Sequence, residues 1–343
     1  MKAIAFDEHG GPNVLQYREL PTPEPGPGEV LVKVEACGLN HLDLWTRQGL
    51  GIPLPMPHIL GCEPVGTIAA LGPGVEQPQV GDFVVCSPGV SCGNCAACLS
   101  GNDSLCNDYQ VTGFQRQGGY AEYCVHPAKD VIIVGRELSA TDWAAIPLVF
   151  LTAWHMLITR AALKPGETVL VHGAGSGIGS AAIQIAKLMG SEVIVTAGSE
   201  TKIARALELG ADAGVNYQTN PTFHRDVKTL THGRGVDVVF EHIGPTTWTE
   251  SLASLTPGGR VVFCGATTGP TVTLDLRFIF VRQYSILGSY MGAKHELLRV
   301  LRLVEERQLK PVVDTIFPLP DAKAAHQKMH SRDFFGKLVL AGV

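Results

Sequence analysis

The 343-residue sequence lacks the features that mark several large classes of protein. Its 27 basic residues form no run, and the net charge is −5, so nucleic acid and anionic membranes are not expected as partners. No unbroken apolar run reaches the roughly 18 residues of a membrane span, and the first residues are charged where a signal peptide would be apolar. With 45% hydrophobic and 17% charged residues the chain is not disordered. We therefore expect a soluble, cytoplasmic protein.

The length of the chain and the change in sequence pattern along it predict two domains, because a single core rarely exceeds about 250–300 residues. Residues 1–149 hold short apolar runs between Gly- and Pro-rich turns, which predicts a compact β-rich domain. Residues 150–289 alternate continuous apolar strands with amphipathic helices, which predicts a parallel sheet covered on both faces. Residues 290–343 contain a helix near 293–307 and end in a strand, 336–340, that we expect to return to the first domain.

The second domain carries a glycine-rich turn between a predicted strand, 168–172, and a predicted helix, 178–189. Glycines there allow a sharp turn and close approach of a diphosphate, while the helix N-terminus offers free N–H groups and a positive dipole. Tight helix packing is the alternative explanation, but four glycines in seven residues exceed what packing needs. The predicted dinucleotide-binding residues in this turn are Gly173, Gly175, Gly177, Ile178 and Gly179.

The end of the next strand, 192–196, indicates which dinucleotide binds. An NAD site usually places Asp or Glu there for the ribose 2′-hydroxyl, whereas this chain has Ala197. Ser199 and Lys202 could hold a 2′-phosphate, so NADP(H) is favoured over NAD(H). The alternative is that Lys202 is solvated on a helix face and Glu200 reaches the ribose.

Four of the nine cysteines crowd into residues 92–106, a segment that we call the cysteine lobe. An odd cysteine number in a reducing compartment argues against a disulfide framework. Four thiolates within fifteen residues can close a tetrahedron around Zn²⁺, and full cysteine ligation is typical of a structural site. An iron–sulfur cluster also uses four cysteines, but hydride chemistry needs no cluster. We predict one structural zinc per chain, bound by Cys92, Cys95, Cys98 and Cys106.

These features together resemble the medium-chain dehydrogenase/reductase superfamily, which includes the zinc-dependent alcohol dehydrogenases. The resemblance covers essentially the whole chain. The matching motifs are the cysteine lobe, Gly81-Asp82, Lys164-Pro165-Gly166, and Gly61-Cys62-Glu63-x2-Gly66-x5-Gly72-x2-Val75, which follows the family's zinc signature G-H-E-x2-G-x5-G-x2-V. The resemblance implies an α/β protein: a GroES-like β-barrel catalytic domain, completed by the C-terminal segment, plus a Rossmann domain with a doubly wound parallel sheet. It also implies a homodimer or homotetramer.

Departures from the family pattern fall at the catalytic metal, which the zinc enzymes bind through a Cys, a His and a second Cys. Asn40 replaces the first Cys, Cys62 replaces the His, and Leu148 stands at the third position. A catalytic zinc needs three protein ligands, so we predict that this site is lost. A rearranged zinc site is the alternative, built from the remaining donors Cys62, Glu63 and Asp43 with His41 or Cys37.

The Asn40 pattern is more similar to the zinc-independent quinone oxidoreductase branch. By this resemblance the catalytic residues are Asn40, His41, Cys62 and Glu63. The cofactor is further expected to contact Thr152, Gly265, Met291 and Lys337. A developing oxyanion would be stabilised without zinc by Asn40, His41, backbone N–H groups or the ribose hydroxyl. A structural hydrogen-bonding role is the alternative for Glu63 and for Asp43.

The sequence therefore predicts an NAD(P)-dependent oxidoreductase that transfers hydride between NAD(P)H and a small carbonyl, enone, quinone or alcohol. Conjugated substrates suit a metal-free site, whereas zinc would favour a simple alcohol or aldehyde. The rival is a non-catalytic nucleotide-binding redox sensor. For assembly, the strand 284–289 would end the Rossmann sheet and invite pairing across a two-fold axis. If the helix at 293–307 covers that edge, the protein is instead a monomer.

Overall fold

The computed structural model describes residues 1–342, and the chain divides into two compact units. Unit 1 comprises Met1–Leu148, Ala293–Arg302 and the residues from Lys310 onward. Unit 2 comprises Val149–Gly292 and Leu303–Leu309. Each unit therefore combines segments that are distant in the sequence.

The strands alternate with helices mainly in the second half of the chain. In chain order the strands are β1 (Lys2–Phe6), β2 (Gln16–Glu19), β3 (Glu29–Gly38), β4 (His58–Ile59), β5 (Glu63–Leu71), β6 (Phe83–Cys86), β7 (Gly89–Val90), β8 (Gln110–Val111), β9 (Tyr123–Pro127), β10 (Val131–Ile133), β11 (Thr168–Val171), β12 (Glu192–Ala197), β13 (Ala213–Asn216), β14 (Val236–Glu241), β15 (Leu255–Phe263), β16 (Ser285–Gly288), β17 (Val313–Pro318) and β18 (Lys337–Ala341). The α-helices are α1 (His41–Gln48), α2 (Ala96–Leu99), α3 (Ala140–Trp143), α4 (Pro147–Trp154), α5 (Gly177–Leu188), α6 (Glu200–Glu208), α7 (His224–Leu230), α8 (Pro245–Ser254), α9 (Leu276–Arg282), α10 (Lys294–Glu305) and α11 (Ala322–Ser331). A π-helical turn, His155–Arg160, follows α4.

Unit 1 is built on a sheet with strand order β10-β6-β5-β3-β18-β17, and β9 also pairs with β3. The last strand, β18, pairs antiparallel with β3, so that Leu340 lies opposite Cys37. Alternating side chains of β3, such as Val30 and Val32, are fully buried, which explains why this strand reads as a short apolar run. The pairing of β18 with β3 brings Lys337 to the start of α1.

Unit 2 is a six-stranded parallel sheet with the order β13-β12-β11-β14-β15-β16. This is the doubly wound order 3-2-1-4-5-6, and the predicted Rossmann fold is confirmed. The central strand β11 is buried along its whole length, as the apolar run TVLV predicts. The carboxyl ends of these strands meet at one edge, where ligands bind in such sheets.

Two features of the chain differ from the sequence expectations. The strand β13 was not predicted, because its sequence AGVN contains only one buried apolar residue, Val215. The helical stretch Ala140–Arg160 is long and apolar enough, by length and composition, to cross a membrane. However, 78% of its apolar window is buried inside the fold, which is typical of a core helix. Polar residues such as Thr152 interrupt the run, which is why the sequence showed no unbroken span.

Candidate active site and cofactor site

The start of α1 is fastened by a buried carboxylate, Asp43. One oxygen accepts from the backbone N–H of Asn40 at 2.7 Å, and the other accepts from Gly61 N–H at 3.0 Å. The Tyr120 hydroxyl donates to the same group at 3.1 Å. Burial raises the pKa of Asp43 to about 6, against the lowering effect of these hydrogen bonds. Asp43 thus joins α1 to the segment before β5, as in the structural alternative considered for it.

A second buried carboxylate, Glu63, stands at the start of β5 and receives three donors. The Lys337 ammonium nitrogen lies 2.5 Å from Oε2, and the Asn40 amide nitrogen lies 2.6 Å from the same oxygen. The backbone N–H of Leu148 donates to Oε1 at 2.6 Å. Side-chain exposure is 0% for Glu63 and 4% for Lys337, so this ion pair is removed from water.

The remaining hydrogens of this cluster are also used. The Lys337 ammonium donates to Leu39 O at 2.7 Å and to Asn40 Oδ1 at 2.8 Å, which together with Glu63 occupies its three donors. The Asn40 amide nitrogen also lies 3.3 Å from Cys62 Sγ, so both of its hydrogens are engaged. The predicted contacts of Asn40 with a substrate oxyanion and of Lys337 with a cofactor would each require that one of these bonds is given up.

The residues at the three family ligand positions do not fit a catalytic zinc. Leu148 contributes only a backbone N–H, and Asn40 directs its amide hydrogens, not a lone pair, at Cys62. Cys62 alone among the three offers a side-chain atom of the kind that zinc binds. The positively charged Lys337 ammonium already pairs with the Glu63 carboxylate. Within residues 1–342, the cysteine lobe is the one group of three or more converging metal donors.

His41, the fourth predicted catalytic residue, is the first residue of α1 and is half-buried. Its ring centroid lies 6.1 Å from that of Trp45, one helical turn later, with the planes tilted by 55°. The four predicted catalytic residues all belong to unit 1.

The cysteine lobe brings its four sulfur atoms together. All four lie within 4.8 Å of one another, with Sγ–Sγ distances of 3.5 Å for Cys95–Cys98 and Cys92–Cys106, and 3.8 Å for Cys92–Cys98. A zinc–sulfur tetrahedron with bonds of about 2.3 Å has edges of about 3.8 Å, so these residues fit one zinc ion. The N–H groups of Asn94 and Cys95 lower the pKa of Cys92 to about 6, whereas burial and hydrogen bonds to the other thiols raise the pKa of Cys106 to about 11. All four positions are filled by protein, so the ion would leave no place for substrate.

The glycine turn forms the start of α5 in unit 2. Ser176 is the N-cap, and its hydroxyl accepts from Gly179 N–H at 2.9 Å. Gly173 has φ +58°, and a Cβ on Gly179 would stand 2.4 Å from Gly173 O, so neither position suits a larger side chain. Ile178 is half-buried in the first turn of the helix. The turn therefore presents backbone N–H groups at the N-terminus of a twelve-residue helix, which fits a diphosphate.

The end of β12 carries the residues predicted to select the cofactor. Ala197 ends the strand, and Ser199 is the N-cap of α6, with its hydroxyl accepting from Lys202 N–H at 3.3 Å. The Glu200 carboxylate accepts from the Asn216 amide at 2.8 Å. Sequence reasoning missed Tyr217, whose hydroxyl would lie 2.8 Å from a Cβ on Gly198. A tyrosine directly after a short strand gives no signal that could have identified it.

The other predicted cofactor residues of unit 2 are spread over three elements. Thr152 lies within α4 and is buried, and Gly265 follows β15, where a Cβ would stand 3.0 Å from His242 O. Met291 is buried and has φ +53°, a left-handed conformation that is uncommon for a side chain of this size. Their contact with a cofactor stays a prediction.

The class of protein follows from unit 2 combined with unit 1. A parallel sheet with a glycine turn at its ligand-binding edge, in a chain that also forms a β-rich unit with a four-cysteine lobe, defines a nicotinamide-dependent dehydrogenase. Family models agree: "Alcohol dehydrogenase GroES-like domain" matches residues 26–136, and "Zinc-binding dehydrogenase" matches residues 177–306.

Individual relatives are similar over nearly the whole chain. A zinc-type alcohol dehydrogenase-like protein of Schizosaccharomyces pombe is 32% identical over 99% of this chain and 99% of its own length. The quinone oxidoreductase of Homo sapiens is 30% identical over 99% of this chain and 97% of its own. The crystal structure of an NAD-dependent alcohol dehydrogenase matches with a TM-score of 0.96 and 48% identity, covering 100% of both chains. The chain belongs to the medium-chain dehydrogenase/reductase superfamily and is an NAD(P)-dependent oxidoreductase.

Proposed function

We propose that this oxidoreductase works without a catalytic zinc and transfers hydride between NAD(P)H and a small conjugated substrate, an enone or a quinone. The observation that carries this proposal is the cluster of Asn40, Cys62, Glu63 and Lys337, in which Asn40 and Cys62, at two family ligand positions, are bonded to each other and Glu63 is paired with an ammonium group. Conjugation delocalises the charge that develops on the substrate oxygen, so such substrates need less help from a Lewis acid.

The chain's own residues have distinct roles in this proposal. The glycine turn binds the diphosphate, and a bound nicotinamide supplies the hydride. Lys337 holds the side chain of Asn40 through its Oδ1 atom, which fixes the wall of the site around Cys62. Asn40 would have to give up one of its amide hydrogen bonds to stabilise a developing oxyanion; His41, backbone N–H groups and the ribose hydroxyl are the other donors that we propose for it.

Turnover and zinc content test the proposal together. We expect one zinc per chain and NADPH oxidation with enones or quinones that exceeds reduction of simple aldehydes. Two zinc ions per chain with alcohol oxidation as the main activity would instead support a rearranged catalytic zinc site. Tight dinucleotide binding with no turnover on any substrate of the panel would support a redox sensor.

We further propose that NADP(H) is preferred over NAD(H). Ala197 offers no carboxylate at the end of β12, and the Glu200 carboxylate accepts from the Asn216 amide, so we propose that Ser199 and Lys202 contact a 2′-phosphate. The similar crystal structure is that of an NAD-dependent enzyme, so the two dinucleotides must be compared directly. Dissociation constants for NADPH and NADH, measured at the same ionic strength, test the preference.

We propose a homodimer, or a tetramer built from dimers, in the cytoplasm. β16 is the last strand of the sheet, and the preceding helix α9 exposes Leu276, Phe280 and Val281 by 70%, 66% and 67%. An apolar surface next to a strand edge favours association with a second copy. Four closely spaced thiols in the lobe are compatible with a reducing compartment.

A further inference from the structure

A chain of buried hydrogen bonds runs beneath the glycine turn and links the carboxyl ends of three strands. At its centre is His172, which directly precedes the turn and is fully buried. Its Nδ1 atom lies 2.9 Å from the Thr196 hydroxyl of β12, and its Nε2 atom lies 2.8 Å from the Ser251 hydroxyl of α8. Both ring nitrogens therefore have a side-chain partner.

The chain ends on the carboxylate of Glu241, the last residue of β14. Ser251 donates its hydroxyl hydrogen to Glu241 Oε2 at 2.8 Å, and Thr247 donates to the same oxygen at 2.8 Å. The other oxygen accepts from the backbone N–H groups of Ile243 and Gly244 at 2.6 and 3.1 Å. This buried carboxylate is saturated with donors, which fixes the turn between β14 and α8.

The Glu241 carboxylate and the Thr247 carbonyl together determine which group donates and which accepts in each of these hydrogen bonds. The Ser251 hydroxyl has one hydrogen, and its two possible acceptors, Glu241 Oε2 and Thr247 O, both lie 2.8 Å away, so in either case Ser251 accepts from Nε2–H of His172. His172 Nδ1 then accepts from the Thr196 hydroxyl. Burial lowers the pKa of His172, which favours the neutral ring that this arrangement needs, with one donor and one acceptor.

Backbone contacts connect the chain to the predicted dinucleotide site. The carbonyl of Thr196 accepts from Ala174 N–H, inside the glycine turn, at 3.0 Å. The carbonyl of His172 lies 2.9 Å from Nε2 of His242, and this second histidine ring would lie 3.0 Å from a Cβ on Gly173. Thr196 also directly precedes Ala197, so it lies next to the end of β12 that is predicted to distinguish NADP(H) from NAD(H).

We propose that Thr196, His172, Ser251 and Glu241 are positioning residues of the dinucleotide site. They hold the glycine turn, the end of β12 and the turn after β14 at fixed spacing without contacting the ligand, so that binding requires no ordering of these segments. The inference rests on the proposed function of the glycine turn, and it adds the side chains that hold that turn in place.

A matched pair of serines on α8 tests the inference. Ser251 and Ser254 are both fully buried, and each hydroxyl lies 2.8 Å from the carbonyl four residues earlier. Only Ser251 also takes part in the series of hydrogen bonds between Thr196 and Glu241. We expect Ser251→Ala to raise the dissociation constants of NADPH and NADH about five- to ten-fold, the effect of one net hydrogen bond. Ser254→Ala should leave both constants within about two-fold of the wild type, although its melting temperature should change by about as much as that of Ser251→Ala.

A second pair keeps the test decisive if Ser251→Ala folds poorly. Thr196→Ser retains the hydroxyl and should bind like the wild type, whereas Thr196→Val keeps the volume, removes the donor and should bind more weakly. Equal affinities within each pair would overturn this inference and leave the proposed function standing. Failure of the wild type to bind either dinucleotide would overturn the proposed function itself, and this inference with it.

Discussion

The ammonium nitrogen of Lys337 lies 2.5 Å from the Glu63 carboxylate, although 274 residues separate the two in the sequence. Both side chains are removed from water, so each charge depends on the other. The two residues belong to β18 and β5, which lie on opposite sides of β3 in the sheet of unit 1. This ion pair therefore links the end of the chain to its first third.

Lys337→Met should lower the free energy of unfolding by about 3–5 kcal/mol, because it leaves the Glu63 carboxylate buried without a cation. The double variant Lys337→Met/Glu63→Gln should recover part of this loss. Urea denaturation measures both. Lys187→Met is the control: its ion pair with Asp212 is 34% and 40% exposed, and we expect a loss below about 1 kcal/mol. Equal losses for the two lysines would contradict the assigned role.

Cys95→Ser should remove the zinc and lower the melting temperature while leaving dinucleotide affinity nearly unchanged, because a structural zinc contributes to folding. Metal content is measured by mass spectrometry on the intact protein. Cys124→Ser, at a buried thiol in β9 outside the lobe, serves as the control and should keep its zinc. A folded Cys95→Ser protein that no longer bound dinucleotide would show that the lobe has another role.

Lys202→Ala should weaken NADPH binding about ten-fold or more and NADH binding little, since only NADPH has a 2′-phosphate to lose a charge-assisted contact. Fluorescence titration of both dinucleotides gives the two constants. Lys187→Ala, in the last turn of α5, is the control for the loss of one positive charge. A similar loss for NADPH and NADH would rule out the proposed preference for NADP(H).

The pH dependence of stability should carry a contribution from Asp43. Its pKa is about 6 in the folded protein, above the ordinary value of 3.8, so the protonated form is favoured by folding. This contribution is fully present below about pH 4 and is lost as the pH rises through 6, by roughly 2–3 kcal/mol. The difference in unfolding free energy between wild type and Asp43→Asn should therefore fall between pH 4.5 and 7.5. Asp333→Asn, which removes an exposed carboxylate, serves as the control.

Ile286→Pro should separate the subunits if β16 forms the contact. Ser289 N–H donates inward to Phe263 O of β15, so by the two-residue period Leu287 also donates inward and Ile286 N–H points to the outer edge. Proline at Ile286 thus removes an outward donor only, whereas Leu287→Pro, the control, should damage the sheet. Sedimentation gives the mass: a wild-type species near 36.5 kDa would exclude the dimer.

How much of the site could be predicted depends on sequence distance. The cysteine lobe was predictable because its four candidate ligands lie within fifteen residues, and the glycine turn because a strand and a helix flank it directly. The ion pair of Glu63 and Lys337 was not, since residues 274 positions apart meet only through the pairing of β18 with β3. The family resemblance predicted that Lys337 contacts the cofactor, whereas in the structure its ammonium group donates to three protein oxygens.

The sequence also could not predict which group donates and which accepts in the hydrogen bonds of the site. The sequence indicated that Asn40 lies near Cys62 and Glu63, but not that its amide donates to both of them. The same holds for His172, which reads as the polar end of an apolar strand although both ring nitrogens bind distant hydroxyl groups. Such partners come from other elements, and their spacing along the chain carries no periodic signal.

The return of β18 to β3 also imposes an order on biosynthesis. Lys337 bonds to Leu39 O across 298 residues, and a ribosome that adds about 5–20 residues per second needs roughly 15–60 s to cover that distance. All six strands of the Rossmann sheet, which ends at β16, leave the ribosome before β18 is made. During this interval the nascent β-rich unit has no cation for the Glu63 carboxylate, and residues 36–38 of β3 lack the strand that pairs with them. The strands of unit 2 can therefore pair before β18 is made, whereas the sheet of unit 1 is completed only by β18.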